Sequence, residues 1–156
     1  MIFSVKLLIS KTKIPTKFSK TQRRKTKMAD RRMISKKVIT KDAFASLSDK
    51  SQLLYYRLLM SADDDGFVEN SRQVMASCGA NKKSLDALCD AGFLIKFQSG
   101  PLVIRHWKIH NLIAKDRYKP TLCKTEREQL TLDESGAYVL SIDSEEAMRR
   151  FLNTNR

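Results

Sequence analysis

His106 and His110 stand four residues apart, a spacing that on a helix places two imidazoles on one face and suits a zinc pair. No nearby carboxylate or cysteine completes a set of four ligands, and the segment opens as a strand, so no metal is expected there. Asp63, Asp64 and Asp65 put three carboxylates in a row before Gly66. They lack the twelve-residue ligand spacing of a calcium loop and read instead as a charged helix stop and turn. Cys78, Cys89 and Cys123 are odd in number and form no CxxC pair. Cys78 and Cys89 fall on apolar helical positions, which favours reduced thiols in a core. No nucleophile, base and orienting group can be assembled, and each of the five glycines marks a turn rather than a phosphate-cradling loop. Neither an enzyme nor a bound cofactor is expected.

The remaining chemistry is recognition of phosphate and of bases. Arg105, His106, Lys108, His110, Lys115, Arg117 and Lys119 are opposed within their own tract by Asp116 alone, and Trp107 and Tyr118 lie among them. Basic residues interleaved with aromatics suit contacts to the nucleic-acid backbone and stacking on unpaired bases. Alternation along a strand points Arg105 and His106 to opposite sides. Trp107 is expected to pack in the core beneath a hairpin, and Tyr118, in an extended run before Pro120, is the better stacking candidate. A second group is Asn81, Lys82, Lys83 and Ser84, at the start of a short helix. The lysines suit phosphates, while Asn81 and Ser84 suit bases or backbone. Asp86 and Asp90 follow on the same helix, so only its first turn can approach DNA closely. A solvated face or a protein–protein surface is an equally open reading of that helix.

Net charge supports a polyanion partner less directly than its size of +13 suggests. Residues 1–27 hold nine basic side chains and no acid, whereas the other 129 residues hold 21 basic and 17 acidic ones. That leader reverses the order of a secretory signal, with charge after a short apolar start. It is expected to be a flexible, disordered extension, because Met28-Ala29-Asp30-Arg31-Arg32 looks like a natural beginning; a basic arm reaching nucleic acid is the alternative. Nothing approaches a membrane-spanning run, and a reducing cytoplasm fits the thiols.

The elements that must position these residues follow from periodicity. Met33 to Ile39 reads as a short strand or extended entry, and Thr40 can cap one turn that buries Phe44 and Leu47. A helix begins near Asp49, with Gln52 imitating a capping box, and buries Leu54, Tyr55, Leu58, Leu59 and Ala62. After a brief Phe67-Val68 strand, Asn70 with Gln73 opens a second helix that ends at Gly79. Asn81 caps a third, with Leu85, Leu88 and Cys89 inward. Phe93 to Phe97 and Leu102 to Trp107 then pair as a hairpin across Gln98-Ser99-Gly100-Pro101. This order predicts an α+β fold, a winged helix-turn-helix with a three-helix core and a C-terminal β-hairpin wing. The expected organisation is a leader at 1–27, a DNA-binding domain at 28–122 and a C-terminal extension at 123–156. The extension shows a helical turn near Thr125–Leu130, a turn at Asp133-Glu134-Ser135-Gly136, and a short helix capped by Ser144 with Ala147, Met148, Phe151 and Leu152 on one face.

Three stretches carry a family resemblance: residues 28–35, the string ADDDGFV at 62–68, and residues 106–111 with KDRYKPT at 115–121. Together they resemble the N-terminal domain of replisome-organiser proteins from phages and prophages of low-GC Gram-positive bacteria, related in architecture to DnaD-type primosome proteins. The likeness covers roughly residues 28–140. It implies a winged helix that binds DNA, duplex or single-stranded, during replication initiation, with self-association and a helicase or its loader as further partners. Two other readings share the fold: a protein-interaction and self-assembly module of a primosome, and a transcriptional regulator.

Overall fold

The computed structural model describes residues 31–141. The leader at 1–27 and the amphipathic helix expected from Ser144 lie outside the described residues. What is described is a mixed α+β arrangement of seven helices, several of one turn, with a three-stranded and a two-stranded antiparallel sheet.

The entry segment is extended only to Ser35. A single turn, α1 (Lys36–Ile39), follows in place of the expected strand, its backbone closing onto the Ser35 carbonyl. Of its residues Val38 is buried, whereas Met33 and Ile34 lie exposed, so no strand face exists to be covered. Thr40 does not cap the next turn. Its hydroxyl donates back to the Lys36 carbonyl, and α2 (Asp42–Ala45) starts after Lys41, burying Phe44.

The long helix α3 (Asp49–Ser61) is capped by Ser48, one residue before the expected Asp49, with its Oγ accepting from the Ser51 N–H at 3.3 Å. Gln52 turns away from the cap and donates to the Leu47 carbonyl at 2.9 Å. The face it buries is the one periodicity indicates: Leu54, Tyr55, Leu58 and Leu59 are 0% exposed. Each such leucine contributes about 1.5–3 kcal/mol by leaving water. Phe44, Tyr55 and Phe93 close the centre edge-to-face, with ring centroids 5.2–5.6 Å apart.

β1 (Phe67–Val68) leads to α4 (Ser71–Ser77) and then to α5 (Lys82–Asp90). Asn70 precedes α4 without a side-chain cap bond, so the expected capping box does not form there. β2 (Leu94–Lys96) and β3 (Leu102–Ile104) make the hairpin, and β3 is the central strand of the order β1-β3-β2. Val103 faces Phe67 on one side and Ile95 on the other. With neighbours on both edges and cover on both faces, Leu102, Val103 and Ile104 are all buried, which explains an apolar run without alternation.

The strand was expected to run to Trp107 and stops at Ile104. Trp107 instead starts the turn α6 (Trp107–His110), because its indole is drawn under the loop at Gly66. Gly66 has φ +89°, and a Cβ there would lie 2.6 Å from Trp107 Cγ, so both the backbone conformation and the contact require glycine. After α7 (Lys124–Glu128), β4 (Leu130–Leu132) and β5 (Tyr138–Leu140) form a hairpin absent from the sequence expectation. Leu130, Ala137 and Tyr138 are buried, and the Tyr138 N–H donates to the Arg105 carbonyl at 2.8 Å. A boundary at residue 122 therefore cuts through the packed unit, which extends through this hairpin. Among the described residues no helix is long and apolar enough to cross a membrane.

Candidate nucleic-acid interface

The residues expected to bind DNA fall into two places of opposite character. The first is the start of α5. Asn81, Lys82 and Lys83 are exposed there. The Asn81 Oδ1 accepts both the Ser84 N–H, at 3.0 Å, and the Ser84 hydroxyl, at 3.3 Å. Ser84 is 7% exposed with its hydroxyl engaged inside the cap, so it is corrected from a contact to a structural residue. Asn81 keeps its amide N–H groups free for a ligand, while its acceptor is committed to the helix.

Lys82 opens on a groove of about 1490 Å³ between α4, α5 and the hairpin. Arg72 of α4 and Lys96 of β2 line the same groove, and neither was singled out from sequence. Lys96 had a readable signal, as the exposed end of a strand beside the hairpin turn. Two carboxylates, Glu69 and Glu126, also line the groove. Glu126 accepts from the Ser99 hydroxyl at the hairpin tip, and Cys123 Sγ donates to Glu69 at 3.7 Å. Burial pushes the Cys123 thiol up to about 11, with Glu69 and Glu126 adding to the shift. Cys78, Cys89 and Cys123 are all free thiols.

The second place is the 105–119 tract, turned inward at Trp107, His110 and Asn111 and exposed from residue 114 to residue 119. The acidic turn at Asp63–Asp65, expected to be a charged helix stop, is its anchor. Asp65 accepts from the Tyr118 hydroxyl at 2.8 Å, from the Thr121 N–H at 3.0 Å and from Lys108 Nζ at 3.3 Å. Asp64 accepts from Arg32 Nη1 at 3.0 Å and from the Lys119 N–H at 3.1 Å, while its carbonyl takes the Trp107 indole N–H at 2.9 Å. Asp63 Oδ1 accepts from the Asp65 and Phe67 N–H groups, each at 2.9 Å. Burial raises the Asp63 carboxyl above its ordinary range against the lowering effect of these bonds. Arg32 lies over the Trp107 ring at 5.1 Å, so Trp107 is a core residue with a cation on its face.

His110 is corrected from a contact residue to a buried one, 3% exposed. Its Nδ1 accepts the Ser35 N–H at 2.9 Å, which leaves the proton on Nε2 to be donated to Tyr55 Oη at 2.9 Å. Asn111 Oδ1 takes the Met33 N–H in the same way. Burial lowers His110 to about 4, and burial with the nearby Arg105 and Lys41 lowers His106 to about 4. Both imidazoles are neutral near pH 7. With both His110 nitrogens engaged, the two histidines make no metal pair, and among the described residues no group of three His, Cys, Asp or Glu side chains could hold a metal ion.

Lys108 and Tyr118 are held by Asp65, and Lys108 also lies over the Tyr118 ring at 5.6 Å. The Tyr118 hydroxyl, partly buried and bonded to Asp65, is pushed up to about 12. The Lys108 ammonium and the Tyr118 hydroxyl are thus engaged internally, while Tyr118 remains 40% exposed. Arg105 lies 4.0 Å from Asp133. Lys115, Arg117 and Lys119 project exposed side chains with no ion pair among the described residues. Comparison with family models, curated proteins and solved structures finds no match to this chain.

Proposed function

We propose that this chain is a DNA-binding protein built as a winged helix-turn-helix and acts in replication initiation, in the manner of the phage and prophage replisome organisers it resembles. In this reading α5 is the recognition helix, α4 its support and the β2–β3 hairpin the wing. The observation that carries it is the groove where Lys82 at the start of α5, Arg72 of α4 and Lys96 of the wing come together, with Lys83 exposed beside them. Lys115, Arg117 and Lys119 supply further phosphate contacts. Affinity is electrostatic in the main, and no catalytic step is involved. The replication assignment draws on the stretches behind the resemblance, which meet in one network although they lie up to 78 residues apart.

Fluorescence anisotropy on duplex and single-stranded DNA across a salt series tests this. Affinity should fall steeply with salt, and Lys82→Ala with Lys83→Ala should cost about tenfold and lower the log–log salt slope by about two. Arg117→Ala with Lys119→Ala should weaken all duplexes alike. A flat salt dependence in the wild-type chain overturns the reading.

A second reading, a self-assembly module, is favoured by α3, where Leu53 and Met60 are 43% and 54% exposed on the side of half-buried Tyr56. Light scattering without DNA separates the two: a dimer abolished by Leu53→Ser with Met60→Ser supports assembly through this face, and a strict monomer at high concentration removes it.

A further inference from the structure

Leu122 stands 84% exposed on the rim of the groove. A single surface leucine is common on proteins, but this one is held in place from both sides. The Thr121 N–H donates to Asp65 at 3.0 Å and the Cys123 N–H to Thr121 Oγ1 at 3.2 Å. Thr121 and Cys123 are themselves buried, Cys123 Sγ is tied to Glu69, and the Lys124 N–H closes onto the Leu122 carbonyl at 2.9 Å. The acidic turn therefore fixes the backbone on which an apolar side chain stands in water. The fold gains little from that side chain, because so little of its surface is covered.

The groove around Leu122 is divided in charge. Arg72, Lys82 and Lys96 stand exposed and attract phosphate, whereas Glu69 and Glu126 line the same groove and repel it. Glu69 holds Cys123 next to Leu122, and Glu126 accepts from the Ser99 hydroxyl at the hairpin tip. A nucleic-acid strand whose phosphates lie on the cations thus meets, at the carboxylate end, a side chain suited to sugars and base faces. The two grooves of a duplex alternate along its axis, so with α5 in the major groove the hairpin side faces the neighbouring minor groove. Apolar side chains that enter a minor groove part a base step and kink the duplex by about 20–90°.

We propose that Leu122 is a wedge, which enters a base step of duplex DNA beside the β2–β3 hairpin, unstacks it and kinks the duplex. This rests on the DNA-binding reading above. The wedge confers selectivity without hydrogen bonds to base edges, because a TA step opens more easily than a stiff A-tract.

The test compares the full chain with Leu122→Ala, Leu122→Met and Leu112→Ala, the last a control at a leucine 85% exposed outside the groove. The probes are duplexes of about 20 base pairs, with a central TA step or an A-tract in its place. One form carries a fluorescent adenine analogue at the step, and another carries a donor and an acceptor dye at its ends. Wild-type binding should raise the analogue's fluorescence and the energy transfer on the TA duplex, and should favour that duplex about tenfold. Leu122→Ala should lose all three effects yet keep the wild-type affinity for the A-tract duplex and its salt slope, since no cation is removed. Leu122→Met should retain most of them, and Leu112→Ala should match the wild type. No fluorescence rise with the wild type, or a rise that Leu122→Ala keeps, overturns the wedge and leaves DNA binding standing. A chain that binds neither duplex in a salt-dependent way removes the DNA reading, and the wedge falls with it. A wild type that is dimeric in light scattering without DNA, and monomeric as Leu122→Ala, also overturns the wedge by placing Leu122 between copies.

Discussion

The acidic turn and the α4–α5 groove use the same currency of charged side chains, and they use it in opposite directions. At the turn, Asp64 and Asp65 are buried and draw donors from residues 32, 108, 118, 119 and 121 into a closed network. At the groove, Lys82 and Lys96 stand exposed without an ion pair among the described residues. The difference separates two meanings of a basic segment. Cations that answer a buried carboxylate hold a chain together, and their removal is felt as lost stability. Cations with no internal partner keep their charge for a ligand, and their removal is felt as lost affinity.

The largest effect should come from breaking the closed side. Asp65→Ala leaves the Thr121 N–H, the Tyr118 hydroxyl and Lys108 without their acceptor in a site 2% exposed. A loss of about 3–5 kcal/mol is expected, the usual consequence of removing one member of a buried charged network. Denaturant unfolding measures it. Lys82→Ala with Lys83→Ala should stay within about 0.5 kcal/mol of the wild type, as surface changes do. If the two variants unfold alike, the contrast between the regions fails.

That contrast also explains what could be read in advance. The helices α3 and α5 and the first hairpin were legible because local periodicity and turn residues mark them. Within the tract from 105 to 119, Lys108 looks unopposed when only neighbouring residues are weighed, yet it pairs with Asp65 in a string 43 residues earlier that reads as a loop. The Tyr118 hydroxyl and the Lys119 and Thr121 N–H groups reach the same turn across 53 to 56 residues. Long-range pairing of this kind leaves no mark on local pattern. The β4–β5 hairpin escaped for a different reason: each strand has three residues, too few to display alternation.

A smaller effect appears on acidification. His110 holds the entry segment through the Ser35 N–H and is neutral when folded, with its value lowered to about 4 from an ordinary 6.5. A group depressed on folding contributes its full stability above its unfolded value and loses it as pH falls toward the folded one. The wild type should therefore lose stability between about pH 6.5 and 4, by no more than about 1.4 kcal/mol per pH unit for each histidine. His110→Gln should be less stable at pH 7 and show a shallower fall on acidification, with His106 supplying the remaining slope. Asp63, raised on folding, acts in the opposite sense in both proteins, so the difference between them isolates His110. Parallel pH profiles would place the entry segment outside the closed network.

The finest distinction concerns Asn81, where the two regions' logics meet in one side chain. Reading adenine needs both the amide N–H and the amide oxygen of an asparagine. The Asn81 oxygen already takes two donors from Ser84, which makes this residue a helix cap first. Asn81→Ala should cost about 1 kcal/mol of stability, whereas Asn81→Ser keeps a capping oxygen and should cost only a few tenths. On a panel of duplexes, Asn81→Ser should leave the rank order of affinities unchanged, because Lys82 and Lys83 bind phosphates whatever the sequence. A reordered panel would mean that the cap opens when DNA arrives and that α5 reads bases. An unchanged panel would mean that selectivity lies in the wing or in the shape of the duplex.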